Sequence, residues 1–210
     1  MPAIIFLNGN FPGKKVINSF LMKNGLIIAA DGGGNSLKSI DILPDIVIGD
    51  LDSLSKSNHD YFVRKKVKIN LIIEQETTDF EKCLLYCKKK NFKEIIVFGA
   101  LSLRPDHTLN NFSVLKRYSK IFRIKFITDD FEILYVKNKI KFLYKKGEII
   151  SLLALPIAAG ITTKGLKYEL KNDILEFGVR EGSLNESESD TVSIEYKTGS
   201  LLLFKKHFIK

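Results

Sequence analysis

Residues 26–50, LIIAADGGGNSLKSIDILPDIVIGD, set two short apolar runs around a glycine-rich stretch. Leu26–Ala30 and Ile46–Gly49 are apolar on both faces, the pattern of strands buried under helices in a parallel sheet, and 35–40 between them has helical spacing. The same alternation extends outward. Segments 3–7, 69–73, 95–99 and 124–128 read as further strands, and 14–23, 58–66, 78–90 and 106–119 as helices. Strand–helix alternation of this kind predicts an α/β domain with a parallel sheet.

The helix at 78–90 is the best specified. Thr78 and Glu81 fit a capping box. Phe80, Cys83, Leu84 and Cys87 form one inward stripe, and Asn91 is a stop signal. After residue 128 the texture changes. Closely spaced apolar runs at 131–136, 140–144, 149–155, 192–196 and 201–204 are punctuated by glycines at 147, 160, 165, 178, 182 and 199. No long helical period appears, which predicts an all-β sandwich or roll. The expected organisation is an α/β domain over 1–128 followed by a β-sandwich domain over 129–210.

The 210 residues are 45% hydrophobic with two cysteines, an ordinary composition for a folded protein with a real core. Both cysteines sit in one predicted helix, which argues for a reducing compartment. The start, MPAIIFLNGN, lacks a basic n-region and reads as a first strand rather than a signal peptide. The most apolar stretch, 149–161, is interrupted by Ser151, Pro156 and Gly160 and falls short of the ~20 residues of a membrane span. A cytoplasmic protein without a membrane segment is expected.

The net charge is +9, of which residues 1–128 carry +8 and 129–210 carry +1. The excess lies at helix ends and polar faces, where lysines solvate the outer helices and can draw an anionic ligand from a distance. No helix-turn-helix, zinc-finger or RNP pattern accompanies it, so no nucleic-acid partner is expected.

Ligands of open parallel sheets sit beyond the carboxyl ends of the strands. There this chain places Asn8-Gly9, Asp31-Gly32-Gly33-Gly34, Gly49-Asp50-Leu51-Asp52-Ser53, Gln75 through Asp79, and Gly99 through Arg104-Pro105-Asp106-His107. Asp50 and Asp52 can present two carboxylates to one hard cation, and Asp79, in a first helical turn, is a natural third oxygen ligand for Mg²⁺. Each of these alone is commonplace, since a first-turn Asp usually serves the helix dipole. Their convergence on one rim, with Arg104 as a phosphate clamp, points to Mg-dependent phosphate chemistry. No G-x-x-x-x-G-K-[ST] or G-x-G-x-x-G motif is present, which removes the P-loop and weakens a dinucleotide reading.

ADGGGNSL at 30–37, PDIVIGDLDSLS at 44–55, EQETTDFEKCL at 74–84, LRPDHTLNN at 103–111, TTKGLKYEL at 162–170 and Asn185-Glu186 occur in this order. Together they resemble the successive motifs of the thiamine pyrophosphokinases. The resemblance implies a homodimer with an N-terminal α/β domain, a C-terminal β-sandwich and an active site between subunits. It implies transfer of pyrophosphate from ATP to thiamine, with AMP released. It places Mg²⁺ on Asp50, Asp52 and Asp79, and ATP near Asp31, Asn35, Arg104 and Asp106. Thiamine would meet Gln75, Thr78, Tyr168 and Asn185. Asp50, Asp52, Asp79, Arg104 and Asp106 form the implied catalytic set, with Asp79 and Asp106 as alternative acceptors for the alcohol proton.

Three positions depart from the family pattern: Ser36 where Arg is common, Leu184 where a Ser precedes the Asn (Ser183 being the nearest substitute), and Tyr168 where some relatives carry Trp. Two readings of other classes compete. One is a D-x-D nucleotide-sugar transferase; the other is a basic nucleic-acid-binding module, whose binding would fall steeply with salt.

Overall fold

A computed structural model of the chain describes residues 1–102 and 104–209; Leu103, which opens the LRPDHTLNN motif, lies outside them. The chain forms two compact units that divide between Asp129 and Asp130.

The first unit alternates strand and helix: β1 (Ala3–Phe6), α1 (Lys14–Leu21), β2 (Leu26–Ala30), α2 (Gly33–Ser39), β3 (Ile46–Gly49), α3 (Lys56–Arg64), β4 (Lys68–Leu71), α4 (Asp79–Lys89), β5 (Glu94–Phe98), α5 (Pro105–Tyr118) and β6 (Arg123–Ile127). The strands lie in the order β4-β3-β2-β1-β5-β6, and every neighbouring pair is parallel. Ile4, Phe6, Ala29, Val47, Ile96 and Phe98 pack with Val16, Ile17, Phe20, Leu37 and Phe62 from α1, α2 and α3. Ile127 belongs to the same cluster, and its neighbour Phe126 faces the other way, against Phe80 of α4 and Phe112 of α5. Helices therefore cover both faces of the sheet. The chain leaves β1 toward β2 on one side and later returns to β5 on the other, which makes the carboxyl end of β1 the topological switch point.

The second unit is antiparallel: β7 (Phe131–Tyr135), β8 (Lys139–Leu143), β9 (Ile149–Lys164), β10 (Lys171–Glu176), β11 (Gly182–Glu186), β12 (Thr191–Glu195) and β13 (Thr198–Lys206). Its spine is β9. One edge of β9 takes β11 and then β10, and the other takes β13 and then β12. The sequence pattern stops this strand at residue 155, before Pro156, yet pairing continues to Lys164. The reason lies in its partner, where β13 shifts register between Gly199 and Leu201, opposite Pro156, so the missing N–H falls at an irregularity. The segments KNDILE and GSLNE carry too few apolar residues to be read as strands alone; β9 orders them. Ile150, Leu152, Ala154, Ala158, Ile161, Leu175, Ile194 and Leu203 lie in this unit's core. Among the described residues, no helix is long and apolar enough to cross a membrane.

Candidate active site

The carboxyl ends of β1, β2, β3 and β5, with the segment before α4, open onto a cleft of about 610 Å³ in the first unit. Pairing of β2 with β3 sets Ala30 beside Ile48, so the chain leaves both strands at the same level. Asp31 and Asp50 thereby meet, although 19 positions apart in sequence. Asp79 joins them from the first turn of α4. Oxygen atoms of Asp31, Asp50 and Asp79 all lie within 4.8 Å of one another. Gly49 makes this approach possible: a Cβ there would stand 2.7 Å from Asp31 Cβ and 3.1 Å from Asp79 Oδ1.

Each carboxylate has its own environment. Asp31 is 2% exposed, and its Oδ2 accepts from the Ser53 amide at 3.1 Å. Its Oδ1 is buried and has no hydrogen-bond partner among the described residues. Burial, and to a smaller extent the nearby Asp79 and Asp52 charges, raise the Asp31 pKa against the Ser53 hydrogen bonds. Burial raises Asp79 too, against the Lys82 ammonium. Asp50 is lowered instead, first by the Gln75 side-chain amide, which donates to its Oδ2 at 2.8 Å. Three carboxylates brought to one point, beside a buried Asp31 oxygen that no described group satisfies, are hard oxygen donors that could hold a metal ion.

Asp52 stands outside this triad. Leu51, at φ +66°, turns the chain after Asp50, and the Asp52 carboxylate accepts from the Ser53 hydroxyl at 2.9 Å. The cluster thus contains Asp31 where the D-x-D spacing suggested Asp52. Asn35 does not line the cleft. Its amide holds the following loop, donating to Ser53 O and accepting from Ser55 N and Asn58 Nδ2. Gln75 and Thr78 line the cleft. Glu74 shapes their loop by accepting from the amides of Glu76 and Thr77 at 2.8 and 3.1 Å.

Thr78 caps α4 through its hydroxyl, which accepts from Glu81 N at 3.3 Å. The other half of the expected capping box goes elsewhere, because the Glu81 carboxylate pairs with Arg117 of α5. Arg104 reaches the rim and grips Asp106 with two nitrogens, at 3.0 and 2.7 Å. This pairing holds the Asp106 carboxyl down at about 2. Asp106 sits in the first turn of α5 behind a cap at Arg104 and Pro105. A residue the motif reading passed over, Lys82, is buried beneath Asp79 with its ammonium 3.3 Å from Asp79 Oδ1. Its signal was the i, i+3 spacing from Asp79 on one helix face.

Tyr168 and Asn185 belong to the second unit. The Asn185 side chain accepts from Tyr168 N at 3.1 Å and donates to Tyr168 O at 2.8 Å, so its amide is spent on the backbone of the 165–168 turn. Tyr168 is 66% exposed. Ser183 is exposed, and the Leu184 amide, in a left-handed turn, donates to Ser151 Oγ.

A parallel sheet covered on both faces, with a carboxylate-lined cleft at its switch point, makes the first unit a doubly wound α/β domain, which is followed by an all-β unit. Residues 17–127 match the family described as thiamin pyrophosphokinase, catalytic domain, and residues 136–201 match thiamin pyrophosphokinase, vitamin B1 binding domain. The chain is 30% identical to thiamine pyrophosphokinase 1 of Arabidopsis thaliana, over 94% of this chain and 87% of that one. Its fold matches thiamine pyrophosphokinase from Bacillus subtilis, with a TM-score of 0.87 at 20% identity over 98% and 99% of the two chains. It also matches yeast thiamin pyrophosphokinase, with a TM-score of 0.84 at 21% identity over 98% and 86%. The chain belongs to the thiamine pyrophosphokinase family.

Proposed function

We propose that this chain transfers the β,γ-pyrophosphate of ATP to thiamine, giving thiamine diphosphate and AMP. The observation that carries the reading is the carboxylate triad with its unpartnered Asp31 oxygen, in a chain that matches both family domains. The hydroxyethyl oxygen of thiamine attacks the β-phosphorus, the bond from that phosphorus to the α–β bridging oxygen breaks, AMP departs with that oxygen, and the hydroxyl proton passes to solvent.

Asp31, Asp50 and Asp79 would hold Mg²⁺, with Asp52 near enough to add negative potential. When bound, the ion supplies neutralisation of the triphosphate charge. Arg104 offers a planar fork for phosphate oxygens. A carboxyl held at about 2 is a poor proton acceptor, so Asp106 serves to aim the guanidinium. Loose phosphoryl-transfer transition states ask little of a base and much of positioning. Gln75, through its hydrogen bond to Asp50, ties the thiamine side of the cleft to the metal side. Tyr168 offers a ring face to a cationic ligand, and Asn185 acts by holding the Tyr168 turn.

The reading assigns nucleotide and metal work to residues 1–128 and thiamine and dimer contacts to 129–210. It includes a homodimer with its active site at the subunit interface, and a cytoplasmic setting, which suits two free, buried thiols. A nucleotide-sugar transferase or nucleic-acid module is not favoured by the family match. The test is a product assay with thiamine, ATP and Mg²⁺ that separates AMP from ADP. Thiamine-dependent AMP with thiamine diphosphate supports the proposal, and ADP or no thiamine dependence refutes it.

A further inference from the structure

Lys82 is 2% exposed, and lysine is rarely buried without partners. Its ammonium lies 3.3 Å from Asp79 Oδ1 and 3.9 Å from Asp50 Oδ2. Two of the three clustered carboxylates therefore stand against a fixed cation of the chain itself. The helix dictates this placement: Asp79 begins α4, and Lys82, three residues on, lies on the same face one turn deeper. Burial of an ammonium is tolerable only because of these carboxylates, and their crowding is tolerable only because of the ammonium. Three ionised carboxylates and one ammonium leave two negative charges, which one divalent cation neutralises.

We propose that Lys82 is a positioning residue, a resident counter-cation whose charge weakens the cluster's hold on a divalent cation by more than its contacts with Asp79 and Asp50 strengthen it. It thereby keeps the cluster from capturing the ion ahead of the nucleotide. The inference rests on the reading of Asp31, Asp50 and Asp79 as metal ligands. A role confined to stability would leave metal affinity unchanged, and a role in organising the ligands alone would make affinity fall on its loss. The proposal demands a rise.

Titration of the nucleotide-free full chain with Mn²⁺, read by electron paramagnetic resonance, measures that affinity directly. Lys82→Met is expected to bind Mn²⁺ tighter by about tenfold or more, the order for removing a unit charge several ångströms from a bound cation at a partly solvated rim. Lys82→Gln keeps a hydrogen-bond donor toward Asp79 and removes the charge, so it should tighten binding similarly and reports should Lys82→Met fail to fold. Unchanged or weaker Mn²⁺ affinity in either folded variant overturns the proposal. Asp79→Asn separates the two readings. Binding that is absent from both the wild type and Lys82→Met, or that is insensitive to Asp79→Asn, overturns the metal site and Lys82's role together. Binding that needs Asp79 but ignores Lys82 overturns the Lys82 proposal alone.

Discussion

Asp31 is the residue whose conformation and burial serve the site at the expense of the fold. It holds φ +41°, is almost wholly buried, and leaves one carboxylate oxygen without a partner among the described residues. An unsatisfied buried polar atom costs about 1–3 kcal/mol. Asp31→Asn keeps an oxygen for Ser53 N and tolerates the left-handed conformation. In EDTA at neutral pH it should raise the melting temperature by about 2–4 °C, the shift for about 1 kcal/mol in a chain of this size. The pH dependence has a definite sign. A raised folded-state pKa means that the folded protein binds more protons, so wild-type stability falls as pH rises from the ordinary carboxyl range through the raised value. The gap between wild type and Asp31→Asn should therefore open as pH rises and close below about pH 4; thermal scans across pH in EDTA check it. Asp50→Asn should lower kcat by about a hundredfold or more while far-ultraviolet circular dichroism is unchanged, the scale of losing an electrostatic contact made in the transition state. A near-normal rate at saturating Mg²⁺ would remove Asp50 from the metal set.

At the scale of elements, α4 links fold to chemistry. Its inward stripe of Phe80, Cys83, Leu84 and Cys87 is buried, as the 3.6-residue period predicts. Burial pushes the Cys87 thiol up to about 12, so the pair behaves as core rather than as reactive thiols. The first turn of the same helix holds Asp79, so the cap at Thr78 fixes a site residue as well as a helix end. Thr78→Ala should cost about 1 kcal/mol and also raise the Mg²⁺ concentration needed for half-maximal rate. Thr78→Ser should restore both, as melting curves and Mg²⁺-dependent rates can show. The capping box was only half legible, because the motif is local whereas Arg117 reaches Glu81 from another helix.

Across the whole molecule, the two family matches fall on separate compact units, 17–127 and 136–201. Division of labour then predicts a kinetic signature. Tyr168→Ala should raise KM for thiamine by about tenfold, the scale of losing a desolvated cation–π contact, and leave KM for ATP nearly unchanged. Equal changes in both would place Tyr168 in the fold instead. Sedimentation equilibrium should give a dimer mass; a monomer that turns over at full rate would remove the inter-subunit site.

Short Ile- and Val-rich runs, glycine-led turns and the capped period of α4 determined by themselves that the first half is a covered parallel sheet, because those patterns are local consequences of side-chain size and backbone geometry. The same logic brought Asp50, Asp79 and Arg104 to one rim, since strand ends in such a sheet share an edge. It failed where neighbours in sequence are not neighbours in space. Asp52, two residues from Asp50 and past the left-handed Leu51, lines the same cleft but lies outside the cluster of three carboxylates, which Asp31 joins through the register of β2 against β3. Lys82 beneath Asp79, Asn35 spent on its loop, Asn185 spent on the Tyr168 turn, and the strands β10 and β11 drawn onto β9 were likewise decided only in three dimensions. Each depends on where a partner from another element satisfies a charge, an amide or a strand edge, and no local pattern encodes that.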